Sequence, residues 1–276
     1  MKYARPTSFS ETIGSKPTLL FIIMGGFFVT NALIAEFMGV KIFSLERVFG
    51  LEPSAFTFLG ESGLSYNLSA GVLLWPIVFV MTDVINEYFG KRGVRILTYL
   101  TVGLIAYAFL MYYMAIGLPP ADFWTTSHID GIKDPAQQAV VKEQVGNYNY
   151  AFRLVFGQGM WIIVASITAF LTSQLIDVFV FHRIKKMTGE KWVWLRATGS
   201  TLISQFIDSF VVLMIAFYWG AGWSFPTVMA ICLFQYAYKF TVALGMTPLI
   251  YLAHYGIDRY LGEETAQRLK AQAAMS

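Results

Sequence analysis

The chain has 276 residues, of which 56% are hydrophobic and 13% charged, with mean hydropathy +0.56 and a net charge of +3. Globular chains average about 25% charged residues, so a polytopic membrane protein is the class this composition selects. A nucleic-acid binder would need clustered base on a polar surface, and no such cluster is present. One cysteine, Cys232, excludes an intrachain disulfide, and three His with one Cys give no metal-ligand spacing. No Gly-rich loop with a following Lys-Ser/Thr marks a nucleoside triphosphate site. Hence no cofactor and no metal are expected.

Residues Met1 to Lys16 read as a polar cytoplasmic tail. The first apolar span, 17–40, holds Gly25-Gly26, Asn31 and Glu36. It is long enough to cross a bilayer core, since about 20 apolar residues suffice. Glu36 then falls near its far end, either in the interface or lining a cavity. Residues 41–66 are too polar to cross and read as a strand pair or a re-entrant piece.

The second span, 67–90, has an apolar stretch too short to cross alone, so Asp83, Asn86 and Glu87 must enter its inner third. The plain structural reading of Glu87 is an i,i+4 pair with Lys91 at the helix end, which leaves a functional reading open beside it. The third span is 94–117, ended by Pro119-Pro120. A polar loop, 121–153, reads as external with a short helix. Spans four, five and six are 156–181, 197–219 and 226–252, and a polar helical tail follows.

A repeated segment organises spans four and five. Ser173-Gln174-x-x-Asp177 recurs as Ser204-Gln205-x-x-Asp208. Ser and Asp at i and i+4, with Gln between them, share one helix face. Ser200, Ser204 and Asp208 extend that stripe. The sixth span carries Lys239 at its middle, too deep to reach either interface. A charged residue at such depth costs roughly 2.5–3.5 kcal/mol on insertion scales. Lys239 therefore needs a carboxylate, and Asp208 lies at matching depth in the antiparallel neighbour. Either that pair only ties two helices, or it also lines a solute cavity. An aspartyl protease reading of Asp177 and Asp208 fails, because Gln205-Phe206-Ile207 precedes Asp208 where that chemistry uses Gly-x-Gly. No enzyme activity is expected.

Basic residues orient the chain. Fourteen of the 20 lie in the tails and even-numbered loops, five in the odd-numbered loops, and Lys239 inside a span. The expected fold is an all-α integral membrane protein, a six-transmembrane-helix bundle with both termini cytoplasmic. It forms a single polytopic domain over 1–276.

Four spaced motifs carry a resemblance. They are Trp75-Pro76 followed by Thr82-Asp83-Val84-Ile85-Asn86-Glu87-Tyr88-Phe89-Gly90-Lys91, then Ser173-Gln174-x-x-Asp177, then Ser200-Thr201-x-x-Ser204-Gln205-x-x-Asp208, then Tyr238-Lys239. In this order, from the second span to the sixth, they resemble the queuosine precursor transporter family, also called the vitamin-uptake type. That resemblance implies a bacterial inner-membrane importer. Its cargo would be a 7-deazaguanine, the 7-cyano base preQ0 or its aminomethyl relative preQ1, for tRNA queuosine salvage. Asp83, Gln174, Asp177, Gln205, Asp208 and Lys239 fall on the family's motif positions.

The residues suit such a base. A carboxylate accepts the two donors of a guanine-like edge, and a Gln amide or Lys serves its acceptor. Trp75, Tyr236 and Tyr238 offer faces for stacking. Asn86 and Ser204 add polar groups to the same faces. The expected partners are a purine-like small molecule, the lipid bilayer and a second copy of the chain packed on Gly25-Gly26. The alternative is a substrate-binding membrane subunit of a vitamin-type ABC importer. Small residues spaced by four on the first helix would mark that docking, and Ala32 and Ala35 are three apart.

Overall fold

A computed structural model describes residues 14–189 and 191–275. Lys2, Arg5 and most of the expected N-terminal tail lie outside the described residues. The first helix, α1, is Lys16–Met38, with Pro17 in its first turn, where a missing N–H costs nothing. Strand β1 (Ile42–Ser44) follows, then a single helical turn α2 (Leu45–Val48), a hairpin of β2 (Phe56–Phe58) with β3 (Glu61–Leu64), and β4 (Asn67–Ser69). β4 returns to pair antiparallel with β1, Phe43 opposite Leu68. Glu46 ties this segment together, because its carboxylate accepts from the Tyr66 amide at 2.9 Å, the Ser54 amide at 3.4 Å and the Ser44 hydroxyl at 2.8 Å. Those bonds hold its carboxyl well below the usual range, at about 2.

The second helix begins later than residue 67. Asn67–Ser69 is strand, Ser69 accepts from the Gly71 amide to start a 3-10 turn over Ala70–Leu73, and helix α3 runs Trp75–Gly117. Pro76 again stands in a first turn, which is where a helix tolerates it.

α3 is two arms joined at Gly90, whose φ of 67° and ψ of −172° suit glycine alone. The arms run in opposite directions, as their packing on α1 shows. Phe21 near the start of α1 meets Phe89 at 5.0 Å, and Phe37 near its end meets Tyr112 at 4.8 Å. Ala35, also near the end of α1, sits against Gly71 just before the first arm. Gly25 lets α1 touch the second arm, since a Cβ there would lie 2.8 Å from Leu97. Half of the small-residue pair is therefore used inside the protomer.

The polar loop after Gly117 contains α4 (Ser127–Asp130), α5 (Pro135–Gln144) and α6 (Tyr148–Phe156). Phe156 stacks on Tyr112 at 4.7 Å, seating α6 on the end of α3. The fourth long helix, α7, is Met160–Thr188, so it starts four residues late and runs seven residues beyond 181. The fifth, α8 (Val193–Leu213), packs along α7 and continues as a π-helix over Met214–Trp219. The sixth, α9 (Phe225–Gly245), stops short of residue 252; Pro248 starts α10 (Thr247–Leu261), and Gly262 turns the chain into α11 (Glu263–Met275). α11 lies against α3, burying Ala266 and Ala273. The chain is a predominantly helical membrane protein, and five helical stretches among the described residues are long and apolar enough to cross. One of these is the α3 pair.

Candidate functional site

Polar side chains in the bundle form three levels. At one end Glu87 is fully enclosed. It accepts from Lys185 of α7 at 3.0 Å and from Arg196 of α8 at 2.8 and 3.0 Å. Arg196 also donates to the Gly189 and Lys191 carbonyls, so the guanidinium fixes the α7–α8 turn. The expected Glu87–Lys91 pair is therefore not the one formed. Three helices converge here, and the carboxylate is better served by two cations from α7 and α8 than by one on its own exposed flank. A neighbouring network joins Tyr88 to Asp258 at 2.6 Å and Asp258 to Lys270 at 2.8 Å.

One turn inward, Asp83 lines a narrow cleft of about 50 Å³ with Trp75, Thr198, Thr201, Gln205, Tyr238 and Lys239. The Thr201 hydroxyl points at Asp83 Oδ2 from 3.4 Å. Asp83 Oδ1 and Gln205 Nε2 have no hydrogen-bond partner among the described residues. One is an acceptor and the other a donor, on the same cleft.

Further out lies a cavity of about 550 Å³, within the range of small-molecule sites. Its walls include Glu36, Ser166, Phe170, Asp208 and Gln235, with strand residues Ile42 and Leu68 at its rim. Val72, Trp75, Tyr238 and Lys239 border both spaces, so cavity and cleft meet there. Lys239 donates to Asp208 at 2.8 Å, each side chain keeping about a quarter of its surface open to the cavity.

Sequence and structure divide over the first repeat. Gln174 and Asp177 sit in the α7–α8–α3 interface and line neither space. Gln174 Oε1 accepts from Thr82 at 3.2 Å, and Asp177 Oδ1 accepts from Ser204 at 3.1 Å. Asn86 is buried beside them, and Tyr236 donates to the Leu202 carbonyl at 3.0 Å instead of facing the cleft. Trp75, Asp83, Gln205, Asp208 and Lys239 come together, with Tyr238 as the aromatic wall. Ser166 went unnoticed in the sequence. Its seven-residue spacing from Ser173 places both on one face of α7, which was the available signal.

A helical bundle enclosing a cavity that holds Glu36, Asp208 and Lys239, and that narrows to a cleft with one unpaired acceptor and one unpaired donor, is a membrane protein with a candidate small-molecule site. The chain belongs to the family described as "Putative vitamin uptake transporter", whose model matches residues 69–253. That match contains every residue of the cleft and leaves α1 outside. The relatives bear consistent names. A "Probable queuosine precursor transporter" of Bacillus subtilis is 27% identical over 188 residues, 66% of this chain and 70% of that one. The "Queuosine precursor transporter" of Escherichia coli is 25% identical over 201 residues, 72% and 76% of the two chains. A Haemophilus influenzae protein, also named "Probable queuosine precursor transporter", is 26% identical over 167 residues, 60% of this chain and 59% of its own. No solved structure gives a significant match.

Proposed function

We propose that the chain imports a queuosine precursor, a 7-deazaguanine such as preQ0 or preQ1, across a bacterial inner membrane. The observation that carries this reading is the cleft's chemistry: an unpaired carboxylate oxygen of Asp83 and an unpaired amide nitrogen of Gln205, both belonging to residues that line the cleft. A guanine-like edge presents adjacent donors and an acceptor, the complement of that pair. The flat ring lies between Trp75 and Tyr238, and its edge reaches into the cleft. The Lys239–Asp208 pair adds an ammonium for the ring's acceptor while its own charges cancel.

In this reading the protein crosses six times, with Gly90 reversing the second crossing into the third and both termini cytoplasmic. The wide cavity opens outward, and the Glu87 cluster with Met246 and Ile250 closes the inner end. The protein acts as a transporter without catalysing a reaction. An ABC-subunit role is less well supported, because Ala32 and Ala35 are wholly buried in the protomer and cannot dock an ATPase partner. Uptake of labelled preQ0 and preQ1 by purified protein in liposomes tests the proposal. Wild-type protein is expected to exchange either base, and Asp83→Asn to abolish exchange while inserting normally. Exchange undiminished in that variant would remove the cleft from the substrate path.

A further inference from the structure

We infer that Glu36 of α1 is the proton-binding residue of the transport cycle, making the protein a proton-coupled importer. The inference rests on the transport reading above and concerns a residue outside the segment that the family model matches. Glu36 is 8% exposed and lines the wide cavity. Its one hydrogen-bond partner among the described residues is the Ser166 hydroxyl of α7. A hydroxyl carries a single proton and leaves the carboxylate's charge uncancelled. The nearby Asn31 amide is spent on the Phe27 carbonyl.

The charged groups facing this space are few. α8 presents Asp208 and α9 presents Lys239, while α3, α6 and α7 contribute Trp75, Leu154, Ser166 and Phe170 to the walls. No other Lys, Arg or His lines the cavity among the described residues, and Lys239 already serves Asp208 at 2.8 Å. The cavity therefore holds two carboxylates and one ammonium. Enclosed in the bundle, the surplus negative charge needs a compensating cation, and a proton from the outer water is the smallest that fits.

The same placement supplies coupling. With a proton on Glu36, Lys239 stays with Asp208 and the site is neutral. Without it, Glu36 competes for Lys239, which also borders the cleft where the base edge is read. Proton and base thus act on one ammonium, and linkage between them is reciprocal. One proton passes from outside to the Glu36 carboxylate and then to the cytoplasm with each base, with no bond to the base made or broken.

The test uses full-length protein in liposomes with the membrane potential clamped at zero. With the outside one pH unit more acidic, one proton per base sets an accumulation ceiling of about tenfold. Wild-type protein is expected to approach it, and base uptake is expected to acidify a dye trapped in the lumen. Glu36→Gln should accumulate no base against a gradient while still exchanging labelled base across equal pools. Glu36→Asp, which keeps the carboxylate, should restore accumulation. Wild-type accumulation that ignores the pH gradient, or uptake with no lumenal acidification, overturns the inference without any variant having to fold. Wild-type accumulation in Glu36→Gln overturns it as well. Absence of base exchange by wild-type protein sinks the transport reading itself, and the inference with it.

Discussion

Gln174 and Gln205 occupy equivalent places in the two Ser-Gln-x-x-Asp segments, yet only Gln205 faces the cleft. Losing one hydrogen bond with a neutral partner costs about 0.5–1.5 kcal/mol, so Gln205→Ala should weaken base binding by up to about tenfold. Gln174→Ala should leave affinity near wild type and lower thermal stability, because it removes a fully buried side chain and its bond to Thr82 across the α3–α7 interface. Equal affinity losses in titrations of the two variants would contradict this division. Asp208→Asn should reduce folded yield, since it leaves Lys239 without its carboxylate. Adding Lys239→Met should recover yield but not uptake per inserted molecule, and full uptake would reduce the pair to a structural tie. Glu87→Gln removes the carboxylate that balances two buried cations, and breaking a buried pair costs about 3–5 kcal/mol. A marked drop in melting temperature in detergent is expected, and an unchanged one would show the cations are solvated. The residue chemistry was largely legible in the sequence: Asp208 and Lys239 are deep, opposite and adjacent in the chain's antiparallel order. The partner of Glu87 was not legible, since Lys185 and Arg196 lie about a hundred positions away and only the bundle brings them close.

The elements show a similar division. Long apolar runs reveal α1, α7, α8 and α9 directly, because burial in lipid needs an uninterrupted helix. Their ends are less legible, as capping and strand pairing decide them locally. Residues 67–69, Asn-Leu-Ser, directly precede the apolar run and read as its helical start, but β1 captures them. The β1–β4 segment depends on Glu46 accepting from the Tyr66 and Ser54 amides. Because the folded carboxyl is held at about 2, below its ordinary 4.5, this contribution is complete above the ordinary value. It fades as pH falls from there toward 2. Protection of the Tyr66 amide against hydrogen exchange should fall as pH drops through that window in wild-type protein, and Glu46→Gln should remove that protection at neutral pH. Protection unaffected by pH in the wild type would remove Glu46 as the tie.

For the whole molecule, the excess of basic residues on one side and the reversal at Gly90 lead to the same arrangement. Reporter fusions at His128, in the loop before α7, and at Lys186, in its last turn, should report opposite sides of the membrane. The same side for both would break the proposed topology. The repeated motif in the sequence points to one cavity lined by both Ser-Gln-x-x-Asp faces. The folded chain uses its second copy for the cavity and its first for holding α3, α7 and α8 together. Nothing in either copy's own residues distinguishes the two roles, because the difference comes from which neighbour each helix meets.

The burial of Glu87 between α7 and α8 also bears on how the protein is made. Lys185 and Arg196 follow Glu87 by 98 and 109 residues. At about 5–20 residues per second the ribosome needs roughly 5–20 seconds to reach them. Throughout that interval the α3 hairpin carries Glu87 without the two cations that enclose it in the finished bundle, so its Gly90 end waits in water or inside the insertion machinery. A nascent chain stalled after Phe156 should therefore leave Tyr88→Cys open to a water-soluble maleimide, and the full chain, with α10 and α11 packed on that position, should shield it. The ion pair that locks the finished bundle is thus also a checkpoint in its biogenesis, passed only when the fifth helix arrives.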